Sequence, residues 1–356
     1  MMLLRRYVMS AVLKGVAVTL AVLVSVFSVI ELVGELNDVG SGDYGLAEAL
    51  AYVVLRVPRV VFETMPAAAL IGALLGLGNL AVHRELIVMR ASGVSVAQLA
   101  GSVALAGFAL TVVMALLGES LAPSLGAYAR EMRTQALNED VHLADGQSAW
   151  LKAGNRILNL RRQAGEFGYG GGVLLFELAE DGGLAQIARA DAAEVGPDER
   201  WVLANYGETT FGKDRISARR EREAVLEYDL DSELLSLAVV REDLLDTPAL
   251  RDYIRYLRAN DLDARRYEVA YWARMADIVS VTLMTVLALP FVFGGLRSAG
   301  AGARLLIGLV IGLGYYVAGE MLESSGEVYN IDPLIVAWAP SAVLVLFTAV
   351  ALGRIR

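Results

Sequence analysis

Apolar residues run almost unbroken through both ends of the chain, and the pattern changes in the middle. Six stretches, roughly 9–31, 57–82, 96–121, 274–296, 303–323 and 333–353, are apolar enough to cross a bilayer, which takes ~20 residues as a helix. The third continues as a polar helix over 123–139, "PSLGAYAREMRTQALNE". From about 147 the period falls to two. "SAWLKA", "RILNLRR", "VLLFELAE", "AQIARADAAEV", "RWVLANYGETTF" and "AVLEYDL" alternate or are rich in β-formers, with "AGN", "DGG", "GPDE" and "FGKD" as turns between them. Short strands at this spacing predict a sandwich or jelly roll. Such a fold could hold an acyl chain between its sheets or have a filled core; the pattern allows either.

Strand character ends near 240, and "TPALRDYIRYLRANDLDARRYEVAYWARM" reads as two helices. Thr247 can cap the first, with Pro248 tolerated in its opening turn. Leu250, Ile254 and Leu257 form its apolar stripe. Tyr256, Tyr267, Tyr271 and Trp272 fit an interfacial aromatic belt. The second helix should run directly into span four. The predicted fold class is therefore an α-helical membrane protein with six transmembrane helices. An all-β domain, a sandwich or a jelly roll, is inserted between helices three and four.

Composition agrees. The chain is 56% hydrophobic and 20% charged, more apolar than a soluble domain, and most of its Lys and Arg lie between 123 and 272. A net charge of −9 excludes a nucleic-acid partner, which would need a basic stripe. Cysteine is absent, so disulfides and thiolate metal sites are excluded. The first apolar stretch, behind Arg5 and Arg6, is too long for a signal peptide and lacks a small-residue cleavage pattern, so it should be retained as an anchor.

Loop charges set the sidedness. Arg5, Arg6 and Lys14, then Arg84 and Arg90, then Arg297 and Arg304, then Arg354 and Arg356 mark one side. Glu35, Asp38, Asp43 and Glu48, with Glu323, Glu327 and Asp332, mark the other. The termini and residues 83–95 should be cytoplasmic, and the β insertion on the other side, the periplasm in a bacterium.

Little here can catalyse. "GETTFGKD" matches G-x-x-x-x-G-K, but Asp214 stands where a phosphate loop needs Ser or Thr, so a β-turn is the better reading. His83 and His142 should lie on opposite sides of the membrane, and no HExxH or serine elbow occurs. Glu320 and Glu323 sit at a span's aqueous end. The chain reads as a non-enzyme with no bound metal or cofactor.

"HRELIVMRASGVS" (83–95) is the most informative short segment. It reads as a charged helix closed by Gly93, with Ser95 capping the next span. Arg84, Glu85 and Arg90 find no opposite charge at i±3 or i±4, and Leu86 and Met89 add apolar contact. Such a segment is either a solvated loop or a docking knob for a cytoplasmic partner. Glycines at 72, 76 and 78, and at 308, 312 and 314, form small-residue faces that suit a dimer or internal packing equally.

"GALLGLGNLAVHRELIVMRASGVS", with support from "SAWLKAGNRILNL", "RDYIRYLRANDLDARRY" and "FGGLRSAGAGARLLIGL", resembles the lipopolysaccharide-export permease family of LptF/LptG type, most nearly its LptG branch. The likeness runs nearly end to end, and it implies six transmembrane helices with an all-β, jellyroll-like periplasmic domain inserted between helices three and four. It implies a permease subunit of an ABC transporter that extracts lipopolysaccharide from the outer leaflet of the inner membrane and passes it to a periplasmic bridge. The implied partners are an LptF-like permease, an LptB-like ATPase dimer that uses ATP and Mg, and an LptC-like bridge protein. A different ABC-type lipid or lipoprotein-release permease is the alternative; those have fewer spans and a large insertion after the first.

The resemblance also implies roles. Residues 83–93 become a coupling helix, with Arg84, Glu85, Leu86, Met89 and Arg90 meeting the ATPase and Glu85 as its acidic coupling residue. Arg133 matches a position that contacts lipid A phosphate. Phe27, Ile30, Tyr315 and Tyr316 would face acyl chains, or simply pack. Arg56, Arg59, Arg130 and Arg266 are near by topology only, and Arg59 can pair with Glu63 at i+4. The implied division is 1–122 (spans one to three with the coupling helix), 123–246 (the β domain with its lead-in helix) and 247–356 (amphipathic helices and spans four to six). Two departures stand out. Glu31, Asn37 and Asp38 occupy positions where some members carry Lys, so other cations or a divalent ion would have to meet the phosphates. Gly295 replaces a common Pro, which should loosen the end of span four.

Overall fold

The computed structural model describes residues 2–138, 148–161, 172–179, 183–195, 200–212, 215–227, 245–294, 300–329 and 331–354. His142, Gly295, Arg297 and the turns "GPDE" and "KD" lie outside them. Six helices are long and apolar enough to cross a membrane. Span one is α1 (Met2–Glu35) and span two is α2 (Leu46–Val82). A seven-residue helix, α3 (Glu85–Ala91), leads to span three, α4 (Val96–Leu116). A π-helical turn, Leu117–Leu121, joins α4 to α5 (Ala122–Asn138). After the β insertion come α6 (Thr247–Ala259) and α7 (Arg265–Phe293), which contains span four. Spans five and six are α8 (Ala301–Tyr329) and α9 (Pro333–Gly353).

Span two is the centre of the bundle. Residues from Met65 to Ala81 bury almost continuously against spans one, three, four and five. The glycine faces explain how. Side chains added at Gly15, Gly72 or Gly76 would collide with the backbone of the opposite helix, so spans one and two touch backbone to backbone. On span five, a Cβ at Gly308 would lie 2.8 Å from Ile71, and one at Gly312 would lie 3.0 Å from Ala67. Gly78 leaves room for Arg304, which the charge pattern placed in a loop and which is buried here. Both small-residue faces therefore serve internal packing, except Gly314, which faces open space.

The insertion is all-β, as its period predicts. Its described strands are β1 (Ser148–Ala153), β2 (Arg156–Arg161), β3 (Val173–Leu178), β4 (Leu184–Ala190), β5 (Ala192–Val195), β6 (Arg200–Phe211) and β7 (Ile216–Glu227). They form one antiparallel sheet in the order β1-β2-β3-β4-β6-β5, with β7 paired along β6. Leu158, Leu175 and Ala188 are cross-strand neighbours and all are buried, so one row of the sheet faces inward. At Asn205 the backbone turns left-handed (φ 52°), and β6 changes partner from β5 to β4 there; the Asn205 amide donates to Asp191 at 3.1 Å. β7 begins eight residues earlier than the "AVLEYDL" pattern suggests. "ISARRERE" is exposed almost throughout, so it shows no apolar alternation.

Candidate functional site

Two surfaces at opposite ends of the bundle gather the predicted residues. At the end away from the sheet, the chain leaves span two through Arg84, whose backbone is left-handed (φ 61°). That conformation is uncommon without glycine, and it breaks the helix so that α3 can start in a new direction. Gly93 (φ 93°) ends the turn, and Ser95 caps span three by accepting from the Gln98 amide at 3.2 Å. Leu86 and Met89 face inward and join the buried core of the bundle. They fix α3 rather than form its exposed edge. The exposed apolar residues are Ile87 and Val88, beside exposed Arg84 and half-buried Glu85. The Tyr7 hydroxyl of span one meets the Glu85 carboxylate. The Arg90 guanidinium lies 5.8 Å from the Phe293 ring centroid, which ties α3 to the end of span four.

The sheet end carries the arginines. Arg133 on α5 donates through Nε to Glu35 at 2.8 Å and through Nη2 to Asp38 at 2.5 Å. It also lies over the Tyr44 and Tyr52 rings. Tyr44 is fully buried and donates to Glu35 at 2.8 Å. Burial, then the Glu35 carboxylate, push its hydroxyl above the ordinary phenol range, so it remains a donor. Arg56 pairs with Glu31 and stacks on Tyr52. Arg59 pairs with Glu63 at 2.7 Å, the i+4 contact the spacing predicts. The acids that sequence comparison marks as departures are thus partners of the arginines. Glu35, the other partner of Arg133, carries no such signal; it is 98 residues away in sequence.

The candidate acyl residues divide. Phe27, Ile30 and Tyr316 are exposed on spans one and five. Tyr315 turns inward, with its hydroxyl 3.1 Å from Ser341 of span six and 3.4 Å from the Asp277 carboxylate of span four. Asp277 carries no hydropathy signal of its own; its mark in the sequence is an acid inside a span.

A third group links the two regions of the chain. Thr247 is not the cap of α6. Asp246 is, accepting from the Ala249 amide at 2.8 Å. Thr247 instead donates through its amide and hydroxyl to Glu119, at 3.1 and 2.5 Å, and Arg274 of α7 donates to the Leu245 carbonyl at 2.8 Å. The π turn carries Glu119, so the irregular turn in span three holds the start of α6. At the other end of α6, Tyr256 donates to the Lys152 carbonyl (2.8 Å) and accepts from its amide (3.2 Å). The Asn260 carbonyl accepts from Lys152 Nζ at 2.9 Å, and its side chain accepts from the Gly154 amide at 2.8 Å.

Residues 207–211 of the phosphate-loop look-alike are paired with β7, so their amides belong to a sheet rather than an anion cradle. No group of His, Asp and Glu among the described residues could hold a metal.

Comparison with known proteins gives one answer. A profile for "Lipopolysaccharide export system permease LptF/LptG" matches residues 6–354. The chain is 33% identical over 353 residues to the lipopolysaccharide export system permease protein LptG of Escherichia coli strain K12, covering 99% of this chain and 98% of that one. It is 30% identical over 354 residues to LptG of Haemophilus influenzae strain Rd, covering 99% of each.

Proposed function

The chain belongs to the LptF/LptG family of lipopolysaccharide export system permeases, and from that premise we propose that it is the LptG-type transmembrane subunit of an ATP-driven exporter. Its substrate is lipopolysaccharide in the outer leaflet of the inner membrane. The chain catalyses nothing itself. An LptB-like ATPase dimer binds ATP and Mg, an LptF-like permease completes the cavity, and an LptC-like bridge receives the lipid. Both termini and α3 face the cytoplasm, and the sheet faces the periplasm. The alternation of basic and acidic loops supports this orientation.

The observation that carries the mechanism is α3. Its inner side is fixed in the bundle through Leu86 and Met89, while Ile87 and Val88 are presented outward beside half-buried Glu85. A partner that pushes on this helix pushes on spans one, two and four, through Tyr7, the Arg84 junction and Phe293. At the other end, the exposed faces of spans one and five hold acyl chains with Phe27, Ile30 and Tyr316, and Arg133 meets phosphate.

Replacing Glu85 with Lys reverses the charge offered to the ATPase while the buried anchors remain. In the reconstituted complex, ATP hydrolysis should persist while lipid release falls about tenfold or more, the effect of reversing a charge at a close interfacial pair. Wild-type release by Glu85→Lys, with both rates measured in the same vesicles, overturns the coupling role.

A further inference from the structure

Span one is suspended at two points. Its inner half is locked to span two by the backbone contact at Gly15, Gly72 and Gly76. Its outer half has little packing: Val22, Val26, Val29, Ile30 and Val33 are all exposed. What holds the outer end is charge. Glu31 pairs with Arg56 of span two, and Glu35 and Asp38 pair with Arg133 of α5. The Glu31 Oε2 atom is buried with no hydrogen-bond partner, so this pairing leaves one acceptor unsatisfied. The following loop is anchored separately, by the Asp43 amide donating to the Ala136 carbonyl at 2.9 Å. The carboxylates can therefore release without detaching the loop.

We propose that Glu31, Glu35 and Asp38 are selectivity residues: they occupy Arg56 and Arg133 as internal counter-ions, so that only a headgroup with dense negative charge can take the arginines and free the outer half of span one. The inference rests on the lipid-export reading. Guanidinium forks accept carboxylate or phosphate in the same geometry. A phosphodiester lipid carries one charge and gains nothing over the two carboxylates already on Arg133. A headgroup with two phosphate monoesters carries about three to four charges near neutral pH, matches the three carboxylates held on Arg56 and Arg133 together, and displaces them from both arginines at once. The displaced acids then face the phosphate as like charges, which favours the state with span one swung away. Binding and opening are coupled because the headgroup interacts differently with the two states. Bulk phospholipids of the same leaflet leave the latch closed, and discrimination comes from a repulsive element as well as an attractive one.

The test uses the complete complex in nanodiscs. The chain has no cysteine of its own, so spin labels go on cysteines at Gly34, which faces open space, and at Tyr128, which is exposed on α5. The probes are bis-phosphorylated lipid A and phosphatidylglycerol, each carrying a photocrosslinker so that binding is read in the same sample. In the wild type, lipid A should lengthen or broaden the distance and phosphatidylglycerol should not. Glu35→Gln with Asp38→Asn should show the shifted distance without lipid. Its preference for lipid A over phosphatidylglycerol should fall from about tenfold or more to about twofold. If that variant fails to assemble, Tyr44→Phe, which removes only the hydrogen bond to Glu35, should shift both readouts partway. An unchanged distance with lipid A bound, or an unchanged preference in the variants, overturns the latch alone. A wild-type complex that crosslinks neither lipid overturns the export reading as well.

Discussion

Gly72 shows what a single residue decides here. Spans one and two can touch backbone to backbone only because neither carries a side chain at the crossing. Gly72→Leu should therefore destabilise the chain by about 1–3 kcal/mol or more, the scale of overpacking a filled interior. Gly314→Leu, at a position facing open space, should be neutral or slightly stabilising through helix propensity. Thermal unfolding of the two variants in detergent separates them. The sequence shows two similar rows of glycines and cannot rank them, because spacing says that helices approach closely and not which neighbour arrives. The ion pairs divide in the same way. Arg59–Glu63 is readable because both residues share one helix face. Arg133 with Glu35 and Asp38 is not, because the partners meet only after three helices have packed.

Among the elements, α6 is the clearest case of a segment whose role lies in both its ends. Its amphipathic stripe is evident in sequence, and Leu250, Tyr253 and Leu257 are its buried face. Its attachments are not evident. The π turn that presents Glu119 has no hydropathy signature, since an extra residue in a helical turn leaves composition unchanged. At the far end, Tyr256 clasps the backbone of Lys152, with its hydroxyl pushed above its ordinary range by burial and so kept as a donor. Span three, α6 and the β1–β2 hairpin thus form one connected path. Tyr256→Phe removes both hydrogen bonds to Lys152 at a cost of about 0.5–1.5 kcal/mol each. Amide exchange at Lys152 and Gly154 should quicken while the β3–β4 and β6–β7 pairs keep wild-type protection. Uniform loosening of the whole sheet would show instead that Tyr256 supports the domain's core. Half of β7 is invisible in sequence for a related reason: a strand with charged residues on both faces has strand geometry without strand patterning.

At the scale of the molecule, six spans and the insertion after the third follow from hydropathy alone, because the bilayer penalises any polar run within a span. Which outer face does the work does not follow. Spans one and five are 11% buried over their apolar windows, span six 28% and span two 61%. Lipid tails are as apolar as leucine, so a face made for acyl chains of a substrate and a face made for the bilayer have the same composition. Exposure alone cannot separate Phe27 or Tyr316 from Leu346 on span six. Position can. Spans one and five both flank span two through their glycine contacts, and span one carries at its outer end the acids that hold Arg56 and Arg133. A lipid whose headgroup reached those arginines would lay its chains along Phe27 and Ile30. Photocrosslinking residues placed at Phe27, Ile30 and Tyr316 should therefore capture lipopolysaccharide in the assembled complex, and one at Leu346 should capture only bulk phospholipid. Equal capture of lipopolysaccharide at all four positions would mean that these faces meet it only as they meet any membrane lipid, and the cavity would have to lie elsewhere in the bundle.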